Sequence, residues 1–300
     1  MSGKTSSLLL QRQRDTRRVA AVFLAPVSII LLIFIVYPIV STFLNSFYHW
    51  DGISANKLFN GLDNWIKISR DISFWIAFKN NVVIMILSIA IQLPIALALA
   101  TLLEFTGRKL NFAKVIWFIP LLMSSVAVGF LFKYALATNG GIISTISQFF
   151  GGKNIDLLGN KNTALVTVIM VICWEFIPFY MVYFLASYTN IPIDVFEAAR
   201  IDGANRGQYF RKIALPLLIP SVKSAAILSM VGSLKYFDLI YVMTGGGPGT
   251  STELMATYMY KQSFKTYNMG YGSTVACGMF LLITFLSLLT MKLLNRSKGD

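Results

Sequence analysis

The sequence predicts an all-α integral membrane protein of six transmembrane helices, with a polar two-helix loop on the cytoplasmic side. Three observations predict it. Hydrophobic residues make up 56% of the chain and charged residues only 13%, against roughly 25% charged in soluble domains. The apolar residues gather in six runs, each able to cross a hydrocarbon core about 30 Å thick as a helix. Lysine and arginine fall mostly between those runs, as membrane insertion requires. A membrane-spanning barrel would show short alternating segments instead.

Taken in order, residues 1–18 form a polar leader carrying Lys4, Arg12, Arg14, Arg17 and Arg18. The first run, Val19–Leu44, is too long for a cleaved signal peptide and reads as a retained helix. His49, the only histidine, follows it in a solvated loop beside Trp50 and Asp51. "GLDNWIKISRDISFW" (Gly61–Trp75) spaces Leu62, Trp65, Ile66 and Ile68 as a short interfacial helix does. The second run, Val82–Leu103, is followed by Arg108, Lys109 and Lys114. The third is Val115–Phe132 and the fourth Ala164–Ala186, and Arg200, Arg206, Arg211 and Lys212 follow the fourth. The fifth is Leu217–Met243. The Gly/Pro-rich "TGGGPGTSTE" (Thr244–Glu253) after it must turn. The sixth, Val275–Met291, is followed by Lys292, Arg296 and Lys298.

The membrane domain is thus expected over 19–294, with a short tail over 295–300. Pro26, Pro94, Pro120, Pro178 and Pro220 lie within runs, where neighbouring helices can satisfy the freed backbone groups. The short connections dense in positive charge belong in the cytoplasm, together with both termini.

Composition and motifs also exclude. The formal charge of +13 lies between apolar runs rather than on a basic face, so nucleic acid is not the partner. Cys173 and Cys277 sit inside apolar runs without partners at metal-ligand spacing, as buried small hydrophobes do. The carboxylates are scattered, and neither a zinc motif nor a Gly-x-Ser-x-Gly elbow occurs. "FFGGKN" around Lys153 lacks the first glycine and the Ser/Thr of a phosphate loop. No metal, catalytic residue or cofactor is therefore expected in this chain.

The polar segment "EAARIDGANRGQYFRKIALP" (Glu197–Pro216) lies between the fourth and fifth runs. Asp194-x-x-Glu197 has the form of a capping box, which predicts a helix over about 195–202. Gly203 can take the left-handed conformation that ends it. Asn205-x-x-Gln208 can cap a second helix, which Pro216 limits. Ala198 and Ala199 would admit a close partner surface, and Val195, Ile201, Tyr209 and Phe210 would offer apolar contacts. Such a knob suits docking into a partner's groove. A cytoplasmic loop that is merely helical explains the same residues.

The segment resembles the signature of binding-protein-dependent ABC importer permeases: Glu-Ala-Ala, three residues, Gly, nine residues, Ile-x-Leu-Pro. Glu197, Ala198, Ala199, Gly203, Ile213, Leu215 and Pro216 match in register. "GLDNW", "IPIDVFEAARIDGA", "FDLIYVMTGGGP" and "MGYGSTVA" resemble the sugar-importer branch, of the maltose and glycerol-3-phosphate type. The likeness runs from about Gly61 into the last run.

The resemblance implies that the loop, 194–216, is a coupling element inserted in a cleft of a cytoplasmic ATPase subunit. Glu197, Ala198, Ala199, Asp202, Gly203 and Arg206 would then carry the contact. ATP and Mg would be bound by the partner ATPase subunits. A second homologous permease subunit and an extracytoplasmic solute-binding protein would complete the assembly in a bacterial or archaeal cell membrane. A carbohydrate, in the form of an oligosaccharide, would be carried by alternating access.

Polar groups within spans are costly and usually face a bundle interior. Glu175 in "CWEFIPFY" is the most conspicuous. Phe179 lies four residues on. Ser229, Ser233 and Tyr236 follow helical spacing on the fifth run. Lys235 and Asp238 could pair across one turn. Counting from Glu197, the resemblance carries the substrate pathway onto Phe179, Ser229, Ser233 and Tyr236, with Glu175 beside them. Helix packing explains the serines equally. Competing functions are import of another solute such as glycerol 3-phosphate, a membrane enzyme acting on a lipid-linked glycan, and a self-sufficient channel.

Overall fold

The apolar runs fold as helices, but three of them do not end where hydropathy alone places their ends. A computed structural model describes residues 19–106 and 111–296. The leader, residues 297–300 of the tail, and the basic pair Arg108 and Lys109 lie outside the described residues. Among the described residues are five continuous helices long and apolar enough to cross a bilayer, and six spans if one bent pair counts as one.

Helix α1 (Val19–Asn45) leads into a minimal hairpin, β1 (Tyr48–His49) pairing antiparallel with β2 (Leu58–Phe59). Then come α2 (Asp63–Arg70), α3 (Ile72–Thr106), α4 (Asn111–Leu122), α5 (Ser125–Ala135) and α6 (Ile142–Phe149). They are followed by α7 (Ala164–Tyr188), α8 (Ile193–Ile201) and α9 (Arg206–Ser233). The chain closes with α10 (Asp238–Met243), α11 (Met255–Tyr260) and α12 (Met269–Arg296).

The core is α3 laid against α7, with α9 beside them. Ala96 and Ala100 of α3 are fully buried, which lets the two backbones approach, and Ile172, Met181 and Phe184 of α7 fill the seam. Small residues at such seams are how helices associate in lipid, where apolar burial against lipid tails gains little. Helix α1 packs along its final turns, Tyr37–Asn45, against α12. Before those turns its side chains stay exposed.

The second run begins ten residues earlier than hydropathy places it, at Ile72 rather than Val82. Asp71 is the cause. Its Oδ1 accepts from the backbone N–H of Ser73 (2.9 Å) and Phe74 (3.4 Å), so it caps the helix and splits the expected interfacial helix into α2 and the start of α3. The third run is two helices bent by 99°. Ser124 leaves the helical region (φ −71°, ψ 144°), and its Oγ accepts from Ala127 N–H. Serine favours such local bonds over continued helix.

The fifth run breaks after Ser233. There the Leu234 carbonyl accepts from Asn81 Nδ2 (3.4 Å). The turn that would have paired Lys235 with Asp238 is therefore absent: Lys235 lies in the break and Asp238 opens α10.

At the end of the bundle remote from α8, a hydrogen-bonded layer ties the loops to the spans. Asn80 Nδ2 donates to the carbonyls of Thr250, Ser251 and Glu253. Asn81 Oδ1 accepts from Met255 N–H at 2.9 Å. The two asparagines thereby hold the "TGGGP" loop and the break in α9–α10 on α3. Asn81 is completely buried. Asn81→Leu strands one buried carbonyl and one buried N–H, each costing about 1–3 kcal/mol. A fall in the melting midpoint in detergent is expected, and an unchanged midpoint would contradict this role.

Asp71 also joins this layer. Its Oδ2 accepts from Tyr258 OH (2.5 Å) and from Tyr271 OH. Burial works to raise its pKa, but the two phenols and the N–H groups of Phe74 and Ser73 overcome it and hold the carboxyl below its ordinary value. A depressed folded pKa stabilises fully above the ordinary aspartate value of about 3.9. That contribution is lost as pH falls below it through the folded value. The stability gap between wild type and Asp71→Asn should be level above about pH 5 and narrow below about pH 4. A gap independent of pH in thermal melts would refute the assignment.

Candidate functional site

Two places concentrate polar groups that a membrane bundle does not otherwise need: the α8 knob and a cluster inside the bundle.

The knob is α8, a glycine turn, and the first turn of α9. Pro192 occupies the N-cap of α8 and no side chain caps it. The capping box expected from Asp194 does not form, because the helix begins one residue before Asp194, at Ile193. Gly203 has φ +77°, and the Ala204 N–H donates to the Ala199 carbonyl (3.0 Å) to close the turn. Asn205 and Gln208 form a reciprocal capping box, Asn205 N–H to Oε1 and Gln208 N–H to Oδ1, both 2.9 Å. Pro216 does not limit the second helix. It lies at the first positions of a helical stretch that follows a wider π-type turn, Phe210–Ala214, so α9 runs unbroken from knob into bundle. Proline is tolerated where its missing N–H has no obligatory partner.

Glu197, Ala198, Asp202, Gly203 and Arg206 are exposed, and Ile201 is 86% exposed at the tip. Ala199 turns inward and is buried, so the close-approach face expected from both alanines rests on Ala198. Tyr209 is likewise buried rather than offered outward. Its ring meets Phe196 of α8 edge-on at 5.0 Å and Phe105, at the end of α3, at 6.0 Å. Tyr188 OH and Thr101 Oγ1 are hydrogen-bonded at 2.7 Å beside them. The knob is thus rooted by aromatic contacts on the end of α3.

Inside the bundle, Glu175 of α7 is 2% exposed, and its Oε1 accepts from Ser125 Oγ at 2.8 Å. Ser125 is the first residue of α5, so the buried carboxyl faces a helix N-terminus, the end that favours negative charge. The break in the third run is what makes that end available. Ser229 and Ser233 are buried on one face of α9. Tyr236 lies beyond the end of α9, so the expected three-residue face does not exist. Its ring nevertheless packs on Phe176 at 5.6 Å, and it lies near Tyr180, Glu175, Cys173 and Gln92. Phe179 is 40% exposed, its ring edge-on to Tyr180.

Sequence reading missed Ser88 and Gln92 of α3, both buried. Their spacing of four on an apolar run was the available signal. Ser88 Oγ, Gln92 Nε2, Glu175 Oε2, Ser229 Oγ and Ser233 Oγ are all buried without a hydrogen-bond partner among the described residues. Tyr180 approaches Ser229, and Gln92 approaches Tyr236, without reaching hydrogen-bond geometry. Buried polar atoms left unpaired are uncommon, and here they gather at the meeting of α3, α7 and α9. Neutral hydroxyls, an amide and a carboxyl can together bond a polyhydroxylated molecule once the helices part.

Residues 110–299 match the family described as binding-protein-dependent transport system inner membrane component. The chain is 31% identical over 282 residues to the probable ABC transporter permease protein YurN of Bacillus subtilis, covering 93% of this chain and 96% of the relative. It is 32% identical to the sulfoquinovosyl glycerol transport system permease protein SmoG of Agrobacterium fabrum, covering 89% and 87% respectively. The fold is similar to that in a crystal structure of a bacterial ABC transporter involved in import of the acidic polysaccharide alginate. That likeness has a TM-score of 0.82 at 19% identity and covers 96% of this chain and 98% of the other.

Proposed function

The chain belongs to the binding-protein-dependent transport system inner membrane components, as an ABC transporter permease, and on that premise we propose that it is one permease subunit of an ATP-driven importer of a carbohydrate. The observation that carries the reading is the interior cluster of Ser88, Gln92, Glu175, Ser229, Ser233 and Tyr236. Its groups suit sugar hydroxyls, and a carboxyl among them disfavours a phosphoester. The named substrates of SmoG and of the alginate importer, both built on sugars, agree with it.

In this reading the α8 knob, with Glu197, Ala198, Asp202, Gly203 and Arg206 exposed, sits in a cleft of a cytoplasmic ATPase subunit. Ile201 is its apolar anchor. ATP and Mg are held by those ATPase subunits, and this chain does no chemistry. A second permease completes the pathway, and an extracytoplasmic binding protein delivers the sugar. Closure of the ATPase pair shifts α8, and the Phe196–Tyr209–Phe105 contacts carry the shift to α3. The helices then part around the cluster. Both termini lie in the cytoplasm.

The test is purification in mild detergent, reconstitution of the co-purifying subunits, and uptake of radiolabelled oligosaccharide. ATP-dependent uptake that unlabelled oligosaccharide competes and glycerol 3-phosphate does not is the expected result. Competition by the phosphoester alone would overturn the substrate class. Conductance or glycan turnover by this chain without ATPase subunits would overturn the transport reading.

A further inference from the structure

Helix α6 is inside out for a helix in water. By spacing, Ile142, Ile146 and Phe149, with Phe150 just past the end, fall on one side and Ser144, Ser147 and Gln148 on the other, with Ile143 and Thr145 at the borders. Of the polar side, Ser144 is turned to the protein, and Ser147 and Gln148 bond the segment that follows the helix. Ser144 is buried, with its Oγ donating to the Ile155 carbonyl and accepting from Ile155 N–H, both at 3.2 Å. Ser147 Oγ donates to the Lys153 carbonyl at 2.8 Å, and Gln148 Nε2 to Asn154 Oδ1 at 2.5 Å. Leu158 then packs the returning segment on the main core. The apolar side is left outward, with Phe149 85% and Phe150 81% exposed.

From this geometry we infer that α6 lies in the membrane interface, with Ile142, Ile146, Phe149 and Phe150 seated among phospholipid acyl chains. Three features favour lipid over a protein partner. The helix sits on the short connection between two spans, six residues after the end of α5 and fourteen before the start of α7, so it cannot travel far from the bilayer surface. Lys133 and Tyr134, both exposed in the last turn of α5, are the residue types that mark the membrane boundary. The outward face carries no charge, and its one polar side chain, Thr145, is exposed at its edge, whereas an amphipathic interfacial helix needs only buried apolar area. The inference goes beyond the transport reading and does not rest on it.

Photocrosslinking in the assembled transporter tests it. The photoreactive residue p-benzoylphenylalanine replaces Phe149 or Phe150, both exposed, and Lys153 as a polar control. The complex is placed in nanodiscs containing radiolabelled phospholipid, with the binding protein present. Lipid adducts several-fold higher at either phenylalanine position than at Lys153 are expected. Adducts at 149 or 150 dominated by the binding protein or the second permease would overturn the inference. So would lipid labelling at both no greater than at Lys153.

Discussion

A Gly203→Pro variant is expected to assemble with its ATPase subunits and let them hydrolyse ATP, while uptake falls to background. The reason is local. Gly203 has φ +77°, whereas proline is confined near −65°. Proline also deletes the N–H that donates to the Arg200 carbonyl at 3.2 Å, and it disfavours the near-helical conformation of Asp202 before it. Relieving that conflict costs about 3 kcal/mol or more if the turn is kept, so the turn gives way. Helix α8 then loses its angle to α9, and with it the Phe196–Tyr209 contact through which the proposed coupling acts. A Cβ at this position would meet nothing within 4 Å, so sterics against neighbours play no part. Gly203→Ala should therefore lie between, strained by about 1–2 kcal/mol, and Gly203→Asn nearer wild type, since asparagine visits the left-handed region. The measurement is uptake and ATP hydrolysis on the same reconstituted sample. Wild-type uptake in the proline variant would sink the proposed coupling role.

The second large effect is expected at Gly270→Ala, at the start of α12. A Cβ there would lie 1.9 Å from the Tyr48 carbonyl oxygen and 3.2 Å from Trp50 N. Both are backbone atoms, so no flexible side chain can yield. That backbone is also pinned: Asn64 Nδ2 donates to the carbonyls of Ser46 and Tyr48, and Thr274 Oγ1 to that of Ser46. The Gly270 N–H itself donates to the Trp50 carbonyl at 3.0 Å. Overpacking a filled site costs about 1–3 kcal/mol and sometimes more, and an immovable clash belongs at the upper end. The hairpin and the end of α1 should part from α12. A lower melting midpoint, with new protease access between residues 48 and 60, is the expected result. Unchanged melting and digestion would show that the close approach is not needed.

The first of these glycines is explained by the loop that surrounds it. A short helix followed by glycine and then by Asn-x-x-Gln is a local grammar of caps, and caps depend on neighbours a few residues away. Gly203 and the Asn205–Gln208 box accordingly follow from the segment alone. The Asp194 box did not form because Pro192 starts the helix earlier, a competition between two local signals that spacing does not rank. Gly270 is different. Nothing near it in sequence requires a glycine. The requirement comes from Tyr48, more than two hundred residues away.

The interior cluster divides in the same way. Glu175 stands out in any reading, because a carboxyl in an apolar run has few explanations. What it faces was not legible: the helix N-terminus at Ser125 exists only because the third run bends at Ser124. Ser88 and Gln92 gave a weak spacing signal. Tyr236 was assigned to a helical face that the break after Ser233 removes.

The sequence by itself determined that this chain crosses a membrane as helices, roughly where, and to which transport family it belongs. Those properties rest on the length of apolar runs and on a motif of fixed spacing, which one-dimensional order contains in full. Only the tertiary structure decided where the runs break, which polar groups meet inside, and which side of α6 faces outward. The break in the fifth run depends on a partner distant in sequence, Asn81 taking the Leu234 carbonyl, and the breaks at Asp71 and Ser124 on which of several local bonds the folded chain forms. In a bundle where every backbone group needs a partner, the place where a helix stops is set by whichever side chain arrives to replace its next hydrogen bond.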